Sequence, residues 1–185
     1  MKTFGDYIRY IINNFEGGFV DDPDDRGGTT KYGISLSFLK YHHLDLTGDG
    51  IANEEDIKSL KKADAIEIYR VYFWEKIKGE ELNKIDHWIA LFVLDTHINT
   101  GMGGAILQRA INDFYKKRVL RVDNLIGTKT LSALRQANLQ MVRLYLLKHR
   151  ELYYVNITKN RPKNIKYLMG WSNRVFKFID LINKM

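Results

Sequence analysis

One amphipathic segment near the N-terminus constrains how this 185-residue chain can begin to fold. Its apolar residues recur with the roughly 3.6-residue period of a helix that buries one face: Phe4, Tyr7, Ile8, Ile11, Ile12 and Phe15. Thr3 and Asp6 have the spacing of a capping box at the start of this helix. Glu16-Gly17-Gly18 follows, and Gly17 is a natural helix end. The pattern therefore predicts a helix that places Glu16 at the start of a loop.

This position favours the protonated form of Glu16. The carbonyl end of a helix opposes negative charge, so the helix dipole raises the pKa of a carboxyl group placed there. Burial against Phe15 and Phe19 would raise the pKa further, which is the direction that a general acid needs. The alternative from the pattern alone is a surface glutamate beside a glycine that ends the helix.

Two stretches around this glutamate resemble the opening signature of glycosyl hydrolase family 108. They are Glu16-Gly17-Gly18-Phe19-Val20 and the pattern Asp-x-Gly-Gly-x-Thr-x-x-Gly-Ile over residues 25–34. Members of this family are small phage- and prophage-type lysozymes, some of which carry the older label of secretion activator. The resemblance continues through most of the chain. It implies an all-α, lysozyme-like fold with at most a short β-hairpin near residues 19–34, and it favours the catalytic role of Glu16.

Phage-type lysozymes of another family place Glu, Asp and Thr in an order similar to that of Glu16, Asp25 and Thr30, which makes these three residues the candidate catalytic set. An inverting glycosidase needs a protonated acid, an ionised base and room for a water between them. Glu16 could supply the acid, Asp25 the base and Thr30 a hydroxyl that positions the water. Three nearby aspartates compete for the role of the base: Asp21, Asp22 and Asp24.

Residues 45–56 have the spacing of an EF-hand calcium loop. Oxygen ligands fall at loop positions 1, 3, 5, 7 and 12, with glycine at position 6: Asp45, Thr47, Asp49, the Ile51 carbonyl and Asp56. Thr47 stands where Asp or Asn is usual, and Asp56 replaces the longer glutamate. We expect either a structural Ca²⁺, with no cofactor for catalysis, or a glycine-rich turn before a helix that starts near Asn53.

The strongly apolar segment 88–99 contains Asp95 and Asn99, which lie four residues apart on one helical face. Their setting, Asp-x-x-x-Asn-x-Gly, also resembles the family. Polar groups inside an apolar helix must find partners, which could be each other and a helix end, or a sugar. We expect substrate binding from Tyr32, Asp95 and Asn99.

The second half of the chain resembles a peptidoglycan-binding helical module. Leu107–Asn112 and Val122–Thr130 carry the resemblance, although Asp123-Asn124 replaces the usual Asp-Gly. Asparagine tolerates a left-handed backbone, so we expect the turn to persist. Thr128 is the expected N-cap of the next helix. Gly170-Trp171-Ser172-Asn173-Arg174-Val175 resembles the closing motif of the family. We therefore divide the chain into a catalytic lobe, 1–85, and a peptidoglycan-binding-like helical lobe, 86–185.

Composition limits the setting of the protein. The absence of cysteine excludes disulfides and thiolate metal sites. No apolar run approaches the roughly 20 residues that cross a membrane, and Asp6 and Arg9 interrupt any signal-peptide core. We expect synthesis in the cytoplasm without a signal peptide, export assisted by a holin or a secretion system, and action on the bacterial cell wall.

The formal net charge of +7 favours a polyanionic partner, unless it only reflects a solvated basic surface. An anionic wall is one such partner. Nucleic acid is not expected, because no nucleic-acid motif is present and the basic residues look dispersed. The expected function is that of a monomeric, endolysin-like N-acetylmuramidase acting on peptidoglycan glycan strands. The alternative is a cell-wall-binding or secretion-associated protein without catalytic activity.

Overall fold

A computed structural model describes residues 2–14, 19–20 and 29–182 of the chain. Glu16 and Asp25 lie outside these residues. The chain divides into two compact units, Met1–Tyr72 and Phe73–Met185, called here the first and the second unit. These structural units are not the two functional lobes expected from the sequence, 1–85 and 86–185. The division into those lobes stays a prediction.

The first unit combines short helices with a small sheet. In chain order its elements are α1 (Phe4–Asn14), β1 (Phe19–Val20), β2 (Thr30–Lys31), β3 (Ile34–Ser35), α2 (Leu36–His42), α3 (Glu54–Ser59) and α4 (Lys62–Tyr69). A π-helix, Arg70–Trp74, continues α4 and contains the boundary between the units.

The regular elements of the second unit, among the residues that the structure describes, are all helices joined by loops. Its elements are α5 (Gly79–Ile85), α6 (His87–Thr100), α7 (Gly103–Phe114), α8 (Thr128–Arg135), α9 (Leu139–Asn160), a 3₁₀-helix (Pro162–Asn164) and α10 (Ile165–Ile182). The all-α, lysozyme-like fold class expected from the sequence is confirmed.

The sheet extends the predicted hairpin by one strand. Strands β1 and β2 pair antiparallel, with Val20 opposite Thr30, on either side of the segment that contains Gly27-Gly28. Strand β3 then pairs antiparallel with β2. The turn between them consists of Tyr32 and Gly33, whose φ angles of 53° and 77° are both positive. Two positive φ angles match the type I′ turn, which suits the twist of a two-residue hairpin.

The predicted start and buried face of α1 are confirmed. The Thr3 backbone N–H donates to Asp6 Oδ2 at 2.8 Å, and the Asp6 N–H donates to Thr3 Oγ1 at 3.3 Å. Hydrogen bonds donated to the Asp6 carboxylate lower its pKa to about 2, and the one from the Thr3 backbone has a larger effect than those from the Thr3 hydroxyl and Arg9. The predicted apolar face of α1 is buried over its described length: Phe4, Tyr7, Ile8, Ile11 and Ile12.

Helix α6 forms the centre of the second unit. Trp88 stacks on Phe92 with ring centroids 4.8 Å apart, and Phe178 of α10 meets Phe92 edge-on at 5.0 Å. The Trp88 indole N–H donates to the Phe178 carbonyl at 3.1 Å. An indole can be buried at little cost when its N–H has such a partner. One expected cap is wrong: α8 begins at Thr128 itself, and Gly127 is the N-cap.

Candidate functional site

In the predicted catalytic region, the structure describes the helix before Glu16 and the strand after it, called here the frame. Helix α1 ends at Asn14, two residues before it, and β1 begins at Phe19, three residues after it. The Arg70 guanidinium lies over the Phe4 ring, 4.7 Å from its centroid, and the Lys62 ammonium donates to Asn13 Oδ1 at 3.3 Å. These contacts join α1 to α4 and the π-helix that continues it.

Thr30 and Tyr32 belong to the β2–β3 hairpin. Thr30 is half-buried and pairs with Val20 on one side and Ser35 on the other. The turn is tied to the core because the hydroxyl of the buried Tyr69 donates to the Tyr32 carbonyl at 3.0 Å. This bond offsets part of the cost of a positive φ at a non-glycine residue. The structure thus holds both predicted residues in one anchored hairpin.

The predicted calcium loop is closed by hydrogen bonds between its own residues. Asp45 Oδ2 accepts from the Gly50 N–H at 2.7 Å, and Asp45 Oδ1 accepts from the Gly48 N–H at 2.6 Å. Asp49 Oδ2 accepts from the Asn53 side chain at 2.8 Å, and Asp49 Oδ1 from the Ile51 N–H at 3.0 Å. Gly50, at loop position 6, has a φ of 93°, which suits glycine.

Asp56 is buried and forms part of a helix cap. Its Oδ2 accepts from the Asn53 N–H at 2.7 Å, and its Oδ1 accepts from the backbone N–H groups of Leu46 and Thr47. Burial raises the pKa of Asp56, but these hydrogen bonds outweigh it and hold the pKa below its usual value. The expected helix start near Asn53 is confirmed, since Asn53 caps α3. Among the residues that the structure describes, no three of His, Cys, Asp and Glu form a group that could hold a metal ion. Calcium binding stays a prediction.

Asp95 lies at the centre of a buried ionic cluster. Its side chain has no exposed surface. Arg174 Nη2 of α10 donates to Asp95 Oδ1 at 2.7 Å, and Arg150 Nη1 of α9 lies 2.6 Å from Asp95 Oδ2. Burial raises the pKa of Asp95, but the charges of Arg150 and Arg174 overcome it and keep the pKa below the usual value. The cluster therefore joins α6, α9 and α10 through one carboxylate.

Asn99, one turn further along α6, is at the exposed end of the same network. Arg150 Nε donates to the Tyr154 hydroxyl at 2.9 Å, and that hydroxyl donates to Asn99 Oδ1 at 2.6 Å. Asn99 itself is exposed, whereas Asp95 could touch a sugar only after an arginine had moved. Their predicted contact with substrate is a proposal, and direct contact suits Asn99 better than Asp95.

Sequence reasoning missed the partners in this network: Arg150, Tyr154 and Arg174. A signal was present, because Val142, Leu146, Arg150 and Tyr154 recur every four residues on the buried face of α9. A charge at a core position requires an opposite charge. Asp95 was the lone carboxylate in an apolar helix and was therefore the natural candidate.

The turn at Asp123-Asn124 is built around Gln108. Asn124 has a φ of 67°, the left-handed conformation expected where the family has glycine. Its side-chain oxygen accepts from the Ala105 N–H at 2.9 Å, near the start of α7. Buried Gln108 accepts the N–H groups of Asp123 and Asn124 and donates to Asp123 Oδ1 at 2.8 Å. The asparagine thus keeps the turn and adds a cap that glycine could not supply.

Two sequence-family models and a solved structure are similar to this chain. The sequence model described as glycosyl hydrolase 108 matches residues 9–101, and that of a predicted peptidoglycan domain matches residues 102–176. Among solved structures, SagA of Brucella abortus superposes with a TM-score of 0.76 at 26% sequence identity. The match covers 95% of this chain and 90% of that chain. The comparison with curated protein sequences found no match.

Proposed function

Because the chain belongs to glycosyl hydrolase family 108, whose members are glycoside hydrolases that act on peptidoglycan, we propose that it is an N-acetylmuramidase with Glu16 as general acid. The bond cleaved would join muramic acid to glucosamine. The observation that carries the proposal is the match over residues 9–101, which contains Glu16, Asp25 and Thr30. The second match, over residues 102–176, supports binding of glycan strands by the second unit.

The described frame supports this assignment. Glu16 follows a helix that is capped at its start and packed along its apolar face. Strand β1 begins three residues later and pairs with the strand that contains Thr30. In the proposed reaction, Glu16 protonates the leaving oxygen, Asp25 takes a proton from water, and the Thr30 hydroxyl positions that water. The water attacks the anomeric carbon, and the glycosidic C–O bond breaks.

Substrate contacts would come from residues that the described structure fixes. The Tyr69 hydroxyl donates to the backbone carbonyl of Tyr32, and the Tyr154 hydroxyl donates to the side chain of Asn99. Preorganised groups of this kind lower the entropy cost of binding. We assign Asp95 an indirect role in substrate binding. It pairs with Arg150, which donates to the Tyr154 hydroxyl that in turn bonds Asn99.

Three further parts of the proposal concern the setting of the enzyme. We propose that the protein is a monomer, that it resembles a phage endolysin in role, and that a holin or a secretion system helps it to reach the wall. We also propose a structural Ca²⁺ in the 45–56 loop. No helix in the described parts of the chain is long and apolar enough to cross a membrane.

One digestion experiment tests the proposed reaction against the alternative of a wall-binding protein without activity. Purified peptidoglycan is incubated with the protein, and the new reducing ends are identified by mass spectrometry after borohydride reduction. Reduced muramic acid at the new ends supports a muramidase. Reduced glucosamine would assign the other glycosidic bond. Binding to the wall without any new reducing end would favour the alternative.

A further inference from the structure

We propose that the outer face of the α9–α10 helical hairpin docks on an anionic lipid surface. This face lies wholly in the second unit. It is defined by six exposed apolar residues: Leu144 and Val155 on α9, and Ile165, Met169, Phe176 and Ile179 on α10. We call it the outer face. The proposal concerns adhesion to a membrane surface and does not rest on the proposed reaction.

One hydrogen bond shows that the apolar residues of the two helices adjoin. The Ser172 hydroxyl donates to Glu151 Oε2 at 3.0 Å, so these two positions mark the line along which α10 and α9 meet. The four apolar residues of α10 lie three, four or seven positions from Ser172, and the two of α9 lie four or seven positions from Glu151. Residues at such spacings share one side of a helix. The outer face is therefore continuous across both helices.

The outer face is distinct from the buried face of the same helices. Arg174, Val175 and Phe178 turn towards the core of the second unit, whereas Met169 and Phe176 are 71% and 54% exposed. Exposed apolar residues are ordinary when scattered, but a contiguous set marks a surface that binds something. Helix α10 has apolar residues on two sides, which a solvated surface helix does not need.

The charge of the two helices indicates which kind of partner the outer face binds. Residues 139–182 contain nine of the 29 lysines and arginines but only two of the 22 carboxylates, so this stretch alone has the +7 charge of the whole chain. The basic residues are spread along the chain as expected, but the net charge is concentrated in this stretch because it has few carboxylates. Some of these charges are paired with carboxylates, namely Arg143, Lys148, Arg150 and Arg174. Four exposed lysines lie on α9, α10 and the 3₁₀-helix between them: Lys159, Lys163, Lys166 and Lys177.

An anionic bilayer provides both partners that this surface requires. Its headgroups attract lysines, and its interfacial layer takes up apolar side chains from helices that lie in its plane. A second copy of the chain fits less well, because two such basic faces would repel each other. The described helices do not span a bilayer, so the contact would be superficial. Residues 139–182 contain two carboxylates, Glu151 and Asp180, that could repel anionic headgroups. Glu151 already accepts a hydrogen bond from Ser172.

Vesicle co-sedimentation tests the proposal with the intact protein. Vesicles of equimolar phosphatidylglycerol and phosphatidylcholine should bind it at low salt, and vesicles of phosphatidylcholine alone should not. The double variant Met169→Gln/Phe176→Gln removes apolar contacts and should weaken binding at least tenfold. The triple variant Lys163→Gln/Lys166→Gln/Lys177→Gln should weaken it about a hundredfold, since each lysine near an anionic surface contributes about fivefold.

The matched control is Val119→Gln/Leu125→Gln, which replaces two exposed apolar residues of the second unit outside α9 and α10. It should bind vesicles like the original protein. All variants should keep the unfolding midpoint. If the Met169/Phe176 variant unfolds, the lysine variant and a salt titration still test the proposal.

Four outcomes would overturn the inference. They are no binding to either vesicle, equal binding to both, equal loss in the control and the Met169/Phe176 variant, and tight binding to a DNA duplex that depends only on the lysines. Light scattering supplies a further test. A dimer that Met169→Gln/Phe176→Gln converts to a monomer would assign the outer face to self-association. Because the vesicles contain no peptidoglycan, these results are independent of whether Glu16 is catalytic.

Discussion

Asp95 and Arg174 are separated by 79 positions in the sequence, yet Arg174 Nη2 donates to Asp95 Oδ1 at 2.7 Å. Each belongs to one of the motifs that carry the family resemblance, Asp-x-x-x-Asn-x-Gly and the closing Gly-Trp-x-Asn-Arg-Val. The two motifs are thus halves of one buried contact. Because this contact joins α6 to α10, the presence of Arg174 in the closing motif can be explained by the stability of the fold, without any ligand.

The first prediction concerns the stability of this cluster. Asp95→Asn should lower the free energy of unfolding by about 3–5 kcal/mol, because it leaves two buried arginines without a counter-charge. Urea unfolding measures the effect. The matched control is Asp113→Asn, whose partly exposed carboxylate pairs with exposed Lys148 and also bonds His149. Its cost should stay below about 1 kcal/mol. An equal decrease in the free energy of unfolding for the two variants would mean that the buried cluster stabilises the fold no more than a surface pair does.

The same cluster should make stability depend on acid pH. The pKa of Asp95 is lowered in the folded protein, so its contribution is present above the ordinary aspartate pKa of 3.8 and is lost as pH falls through the folded value. The free energy of unfolding should therefore decrease below about pH 3.8 more steeply in the original protein than in Asp95→Asn. Parallel pH profiles for the two proteins would contradict the assignment.

The second prediction separates packing from substrate binding at Asn99. Tyr154→Phe keeps the ring that stacks on Trp171, at a centroid distance of 5.1 Å, and removes only the hydroxyl between Arg150 and Asn99. If that hydroxyl orients Asn99 towards the glycan, KM should rise severalfold while kcat stays the same. Asn99→Ala should have a similar effect, and the double variant should add little. An unchanged KM in both single variants would confine the network to a structural role.

How much of this arrangement could be predicted from the sequence depends on the range of the interaction. The capping box of Thr3 and Asp6 and the buried face of α1 follow from local spacing, and both are confirmed. The ion pairs of Asp95 do not follow from local spacing. Its partners lie far along the sequence, on α9 and α10, and no helical or strand periodicity connects them with a position on α6. Likewise, a hairpin near residues 19–34 was expected, but the hydrogen bond that ties its Tyr32-Gly33 turn to the distant Tyr69 could not be read from local spacing.

The third prediction is that Glu16→Gln abolishes hydrolysis of the wall. The substitution keeps the size of the side chain and removes the proton that is given to the leaving oxygen. Loss of a general acid typically lowers the rate about 100- to 10,000-fold. Clearing of a peptidoglycan suspension measures the rate, and Glu75→Gln, at an exposed glutamate of the second unit, is the control. Near-normal clearing by a folded Glu16→Gln protein would end the proposed mechanism.

The fourth prediction concerns the 45–56 loop. We propose that millimolar Ca²⁺ raises Tm, because a ligand that binds only the folded state stabilises it by about 1.4 kcal/mol at ten times Kd. For a chain of this size the shift should be roughly 3–5 °C. Asp49→Ala should abolish the rise. Asn53→Ala, which removes the side chain that bonds Asp49, distinguishes loss of a cap from loss of a ligand. A calorimetric titration without heat, together with an unchanged Tm, would leave the loop as a capped turn only.

The last prediction assigns the stereochemistry through Asp25. If Asp25 activates a water on the face opposite Glu16, hydrolysis inverts the anomeric configuration, and the β-linked glycan first releases the α-anomer. If Asp25 were a nucleophile, a covalent intermediate would form and the first product would be the β-anomer. The order of Glu16, Asp25 and Thr30 favours the water mechanism, because it provides a hydroxyl near the base that could position the water.

Proton NMR of the first product, recorded before mutarotation, distinguishes the two outcomes. Thr30→Val provides the matched variant, because it keeps the shape of the side chain and removes the hydroxyl. Under the water mechanism it should lower kcat with little change in KM, and azide should restore turnover in Asp25→Ala by replacing the water as nucleophile. An initial β-anomer, or full activity in Asp25→Ala, would remove Asp25 from the role of base. Glu16 would remain the general acid in either case, because both mechanisms require a proton donor to the leaving oxygen.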